Sequence, residues 1–161
     1  MDADPTPRTD PDPVVAASTI GLGIVIRTLA PALEQVTLQQ YRVLVLLVTR
    51  GPMRAGDLAT ELGLLPSGTT RIVDRLVRDG FVEKHVSRTS GREVTVTALE
   101  RSQALVTHVL DRRQAEFLAV LRRMSSEERT AVRRAAEAIV RVADTGPLLD
   151  AELLLATGAG R

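Results

Sequence analysis

Apolar side chains recur along most of this chain at steps of three and four, interrupted near the middle by two short alternating stretches. From Val14 to Leu33 the residues Ile20, Leu22, Ile24, Val25, Leu29 and Leu33 cover a wider arc than the stripe of a helix packed on one side, so this helix needs a second partner. "VTLQQYRVLVLLVTR" opens with Thr37 as an N-cap and Gln40 three residues on, a capping box that predicts a helix from about Leu38 to Thr49, ended by Gly51 and Pro52. A short helix around Gly56 to Leu62 stops at Gly63. Pro66 then opens a helix running to Asp79, which Gly80 closes. Two helices this close predict a helix–turn–helix. "FVEKHV" and "EVTVT" read as a two-stranded hairpin, its link spanning Ser87 to Arg92. A helical pattern returns near Ala98 and runs to Met124, about 40 Å at 1.5 Å per residue. Ser125 and Glu128 form a second capping box before a helix carrying Val132, Ala135, Ala136, Ile139 and Val142, which Gly146 and Pro147 end.

The fold class expected is therefore mainly α with a small β-hairpin wing. Residues 1–13, acidic and proline-rich, form an arm, and 14–36 a first helix suited to dimerisation. Residues 37–97 form a winged helix-turn-helix lobe, 98–145 a second pair of dimerisation helices, and 146–161 a leucine-rich extension over the core or a neighbouring subunit.

On a wheel at roughly 100° per residue, Ile72, Val73, Leu76 and Val77 share one arc of the helix 66–79 and are expected to be its buried side. Ser67, Arg71, Asp74, Arg75 and Arg78 lie opposite, with Thr70 on the flank. Such a face begins with small hydrogen-bonding groups and ends with arginines. A solvated helix can look the same, and Asp74 to Arg78 is an ordinary i, i+4 pair. The context decides the reading: a short helix before it, and a wing with Arg88 and Arg92 after it, make a module that can place this helix in a DNA major groove.

Composition sharpens this picture. The net charge is only +1, yet residues 42–92 hold 9 basic and 5 acidic side chains, so the electropositive part of the chain coincides with the predicted lobe. With 2% aromatic residues and no tryptophan, the core must be aliphatic. The absence of cysteine excludes disulfides, thiolate zinc sites and thiol-based sensing, and His85 and His108 are isolated, so no metal and no cofactor is expected. No Ser-His-Asp set, phosphate loop or supported carboxylate pair points to an enzyme, and no catalytic residue is assigned. The apolar run from Val14 to Ile26 is shorter than a bilayer span before Arg27 interrupts it, so no membrane is expected and the location expected is cytoplasmic.

"VTLQQYRVL", "GDLATELGLLPSGTTRIVDRLVRDGFVEKH", the arginine-bearing wing ending in "VTVT", and "MSSEERTAV" together resemble the MarR family of winged-helix transcription regulators over roughly residues 18–143. The resemblance implies a homodimer whose first and last two helices interlock, with a lobe from each subunit on a palindromic operator in double-stranded DNA. It implies a repressor released by a small ligand, often aromatic or phenolic, bound between lobe and dimer helices, where Tyr41 could line the cavity. The alternative is a winged-helix protein-interaction module without specific DNA binding. Two departures stand out. Ser87 replaces the wing's usual aspartate, and the glycine that usually follows the last wing strand is replaced at "TALER", which leaves open how the long helix begins.

Overall fold

The helix at the centre of the molecule is apolar on nearly every side, and its surroundings follow from that. In the computed structural model, which describes residues 12–86 and 94–142, helix α2 (Leu38–Arg50) buries every position from Gln40 to Leu47. A helix buried all round must be enclosed by other elements. Here α1 (Pro13–Leu33), α3 (Ala55–Leu62), α4 (Pro66–Arg78), the small sheet and α5 (Glu100–Arg122) all pack against it. Leu44, Leu46, Leu58, Val73, Leu76, Phe81, Val96 and Val106 meet in the resulting core, in which Tyr41 and Phe81 are the only aromatic members. The last helix among the described residues, α6 (Ser126–Val142), follows α5.

The caps form as the residue types require. Thr37 Oγ1 accepts from Gln40 N at 3.3 Å, while the Gln40 side chain accepts from Thr37 N at 2.7 Å. Ser125 and Glu128 exchange the same pair of bonds at 3.1 and 2.7 Å. Helix α1 begins one residue earlier than the apolar pattern suggests, because Asp12 caps it through Val14 N at 2.7 Å and Pro13 suits the first turn.

Three expectations need correction. The sheet has three antiparallel strands, not two: β1 (Met53–Arg54) pairs with the edge of β3 (Val94–Ala98) opposite to β2 (Val82–Val86), in the order β1-β3-β2. Two residues cannot display an alternating pattern, so β1 is created by its partner and not by its own sequence. The long helix starts at Glu100, since Ala98 completes β3 opposite Val82 and Leu99 is the cap residue. Val77 is not buried but 38% exposed, because α4 meets the core along a narrower stripe made by Thr69, Val73 and Leu76.

Helix α1 lies along α5, where Ile24, Thr28, Leu29 and Ala32 are buried and Arg27 pairs with Glu116 at 3.0 Å. Its other side is bare: Val14, Val15, Ile20, Leu22 and Ile26 are all more than half exposed. At 21 residues, α1 is long and apolar enough by length and composition to cross a membrane, contrary to the expectation from the shorter run ending at Arg27. Helix α6 has no buried residue at all, and Ile139, Val140 and Val142 are open on its surface.

Candidate nucleic-acid interface

The α3–α4 pair is held by ordinary helix-end chemistry. Gly63 takes φ of 63°, which places its N–H on the last carbonyls of α3 and turns the chain within three residues into Pro66. Thr69 is buried, its N–H bonded to the Leu65 carbonyl at 3.0 Å, so the first turn of α4 is anchored from its inner side. Every residue singled out on the outer side of α4, namely Ser67, Thr70, Arg71, Asp74, Arg75 and Arg78, is exposed. Thr70 Oγ1 donates to the Pro66 carbonyl at 2.9 Å, which commits its proton and leaves its lone pairs facing outward.

Asp74 behaves differently from the sequence expectation of an Arg78 partner. Its carboxylate holds the ammonium of Lys84, the only lysine in the chain, across from β2. Arg78 stands instead 3.7 Å from Asp79. The pair with Lys84 fixes the spacing between the helix and the wing strand and removes one negative charge from an otherwise cationic surface. Sequence reasoning passed over Lys84 because residues 10 positions apart on different elements have no shared period. Arg88 and Arg92, the wing cations, and the substituted Ser87 lie outside the described residues, as do the leucine-rich extension 146–161 and the arm up to residue 11.

Two open clefts border this surface. One, of about 430 Å³, is walled by Thr37, Gln40, Arg71, Ile72, Asp74, Arg75 and Arg78. A second, of about 350 Å³, lies between the loop from Leu33 to Thr37 and the end of α4, and shares Thr37, Gln40 and Arg75 with the first. Tyr41 walls neither. It is fully enclosed, its hydroxyl has no hydrogen-bond partner among the described residues, and burial pushes its pKa up to about 12 despite the Arg113 guanidinium nearby. Arg113, on α5, is itself buried, which lowers its pKa while Tyr41 partly restores it. No group of three or more His, Cys, Asp or Glu that could hold a metal ion occurs among the described residues.

The replaced glycine at "TALER" has a structural answer. Leu99 N donates to the Phe81 carbonyl at 2.9 Å, the Ser102 hydroxyl donates to the same oxygen, and Arg101 reaches the Asp79 carbonyl at 2.8 Å. The first turn of α5 is therefore tied to the chain leaving α4.

Comparison with known proteins agrees with this geometry. The model of the MarR family matches residues 36–94. The HTH-type transcriptional regulator ML2140 of Mycobacterium leprae is 30% identical over 112 residues, 70% of this chain and 78% of its own. The HTH-type transcriptional regulator YfiV of Bacillus subtilis is 30% identical over 96 residues, and the match spans 60% of each chain. Among solved structures, RV1404 from Mycobacterium tuberculosis superposes with a TM-score of 0.74 at 30% identity, covering 86% of this chain and 99% of that one.

Proposed function

The chain belongs to the MarR family of winged-helix transcription regulators, and from that premise we propose that it binds a palindromic operator as a homodimer, represses from it, and is released by a small ligand. The observation that carries the proposal is the face of α4: six polar or charged residues outward, three of them arginines, on a helix whose inner stripe is locked in the core. A helix of this kind fits a major groove, and the residues of its first turns come nearest the base edges. Arg71, one turn after Ser67, is the base reader, able to bond a guanine at O6 and N7. Thr70, its proton already committed to Pro66, accepts from an adenine or cytosine amino group. Arg75 and Arg78, further along the helix, face phosphates, joined by Arg88 and Arg92 from the wing.

The homodimer rests on α1 and α6. A soluble chain seldom leaves apolar surface of this extent uncovered, and a second copy, placing α1 and α6 of each subunit against the other, covers both helices at once. A bilayer would serve α1 alone and would require stripping Arg27 from Glu116 and α1 from α5. The protein acts where its DNA is, in the cytoplasm. Ligand control follows from the family likeness; the ligand must favour one lobe spacing over another, because equal affinity for both states shifts nothing. Release of bound operator on titration with small phenolic and aromatic acids tests it.

Selection of duplexes from a random pool by the purified protein tests the main reading. A recovered palindrome supports it. Retention of DNA without sequence preference, or none at low salt, overturns it in favour of a protein-interaction module.

A further inference from the structure

The recognition helix is fastened at its C-terminal end to the helix that leads into the dimer region. At that end Gly80, with φ of 72°, lets Phe81 N bond back to the Leu76 carbonyl at 2.9 Å and its own N–H reach Val77, so the carbonyls of the last turn are largely occupied. The Asp79 carbonyl is taken by Arg101 Nη1 at 2.8 Å. The same guanidinium lies over the Phe81 ring, its central carbon 4.2 Å from the centroid, and Phe81 is 1% exposed. The Phe81 carbonyl in turn accepts from Leu99 N and from the hydroxyl of the buried Ser102. One turn of α5 therefore grips both residues that flank Gly80.

We propose that Arg101 is a positioning residue: by bridging the Asp79 carbonyl and the Phe81 ring it sets the angle of α4 against α5, and with it the sequence discrimination of the lobe, without touching a base. This rests on the DNA-binding reading given above. The chemistry requires arginine in particular. A planar guanidinium can stack its face on a ring while an edge N–H donates to a carbonyl, whereas an ammonium on a flexible stem satisfies one of these at a time. The location matters as well. Helix α5 carries α1 along its length and leads to α6, so this junction ties the end of α4 directly to the helix on which α1 is packed.

Charge and geometry are separable by two variants. Arg101→Met keeps the aliphatic stem over Phe81 and removes the cation, and Arg101→Lys keeps the cation but not the planar fork. Each is measured for thermal midpoint and for affinity on a selected operator and a scrambled duplex at several salt concentrations. The expected result is that both variants lose roughly tenfold on the operator, within what one bidentate base contact supplies. Scrambled-duplex affinity and the salt slope stay at wild-type values. If Arg101→Met instead weakens both duplexes and flattens the salt slope, while Arg101→Lys restores them, Arg101 is a phosphate anchor and the proposal is overturned. Unchanged discrimination in both variants overturns it too. Should Arg101→Met fail to fold, the lysine variant decides alone. A wild-type protein that does not distinguish the two duplexes at all refutes the DNA-binding reading, a separate outcome.

Discussion

Replacing Tyr41 by phenylalanine removes a single oxygen from the most enclosed aromatic ring in the protein, and the structure predicts that the protein gains stability. The ring is fully buried among α2 neighbours, and the hydroxyl makes no hydrogen bond among the described residues. A buried polar group without a partner costs about 1–3 kcal/mol, and the Arg113 attraction acts on the phenolate and not on the neutral hydroxyl present at pH 7, so the lower end of that range is taken. The net gain expected for Tyr41→Phe is about 1 kcal/mol, a rise of roughly 2–4 °C in Tm for a chain of this size. Urea denaturation at pH 7 and fixed protomer concentration reads it directly. A second signature is the pH dependence. The folded phenol titrates near 12 and the unfolded one near 10, so above pH 10 the unfolded state loses its proton first. Stability present below pH 10 is lost as pH rises towards 12, by about 3 kcal/mol over the window, and Tyr41→Phe abolishes that loss. A variant destabilised by more than about 1 kcal/mol at pH 7 refutes the reasoning, since it means the hydroxyl is bonded in the working protein, across the dimer or to a ligand.

Other outcomes are expected from the same geometry. Arg71→Ala costs about 1–3 kcal/mol on the operator and leaves scrambled-duplex affinity nearly intact, measured by titration at several salt concentrations; equal losses on both would make Arg71 a phosphate contact. Asp74→Asn releases Lys84 and adds net positive charge, so scrambled-duplex affinity rises and discrimination narrows, with a steeper salt slope. Ile20→Asp on the open side of α1, where the residue is 60% exposed in the single chain, converts the dimer to monomer in sedimentation; a folded dimer of wild-type affinity would place the interface elsewhere. Gly80→Ala costs about 1–2 kcal/mol in thermal or urea unfolding, entirely from the φ of 72°, because a methyl group there meets nothing within 4 Å.

Local chemistry determined most of the elements of this protein. The capping boxes at Thr37 and Ser125, the glycines at 51, 63 and 80, and Pro66 mark helix ends through bonds and dihedral preferences that act within a few residues, so they are legible along the chain. The polar outer face of α4 was legible for the same reason, since a helical period relates residues that are near in sequence. What escaped the sequence depends on distant partners. Strand β1 exists only because β3 offers Met53 and Arg54 an edge. Asp74 is held by Lys84, which β2 places beside it, while Arg78 pairs with Asp79. Val77 is exposed because the angle of α4 on the core, which no wheel contains, selects Thr69, Val73 and Leu76 as the buried stripe. The enclosure of Tyr41 beside Arg113, and the hold of Arg101 on Asp79 and Phe81, belong to the docking of α5 against α2 and α4. Periodicity tells a helix which side is apolar; only packing against a particular neighbour decides how much of that side is covered and which charges meet.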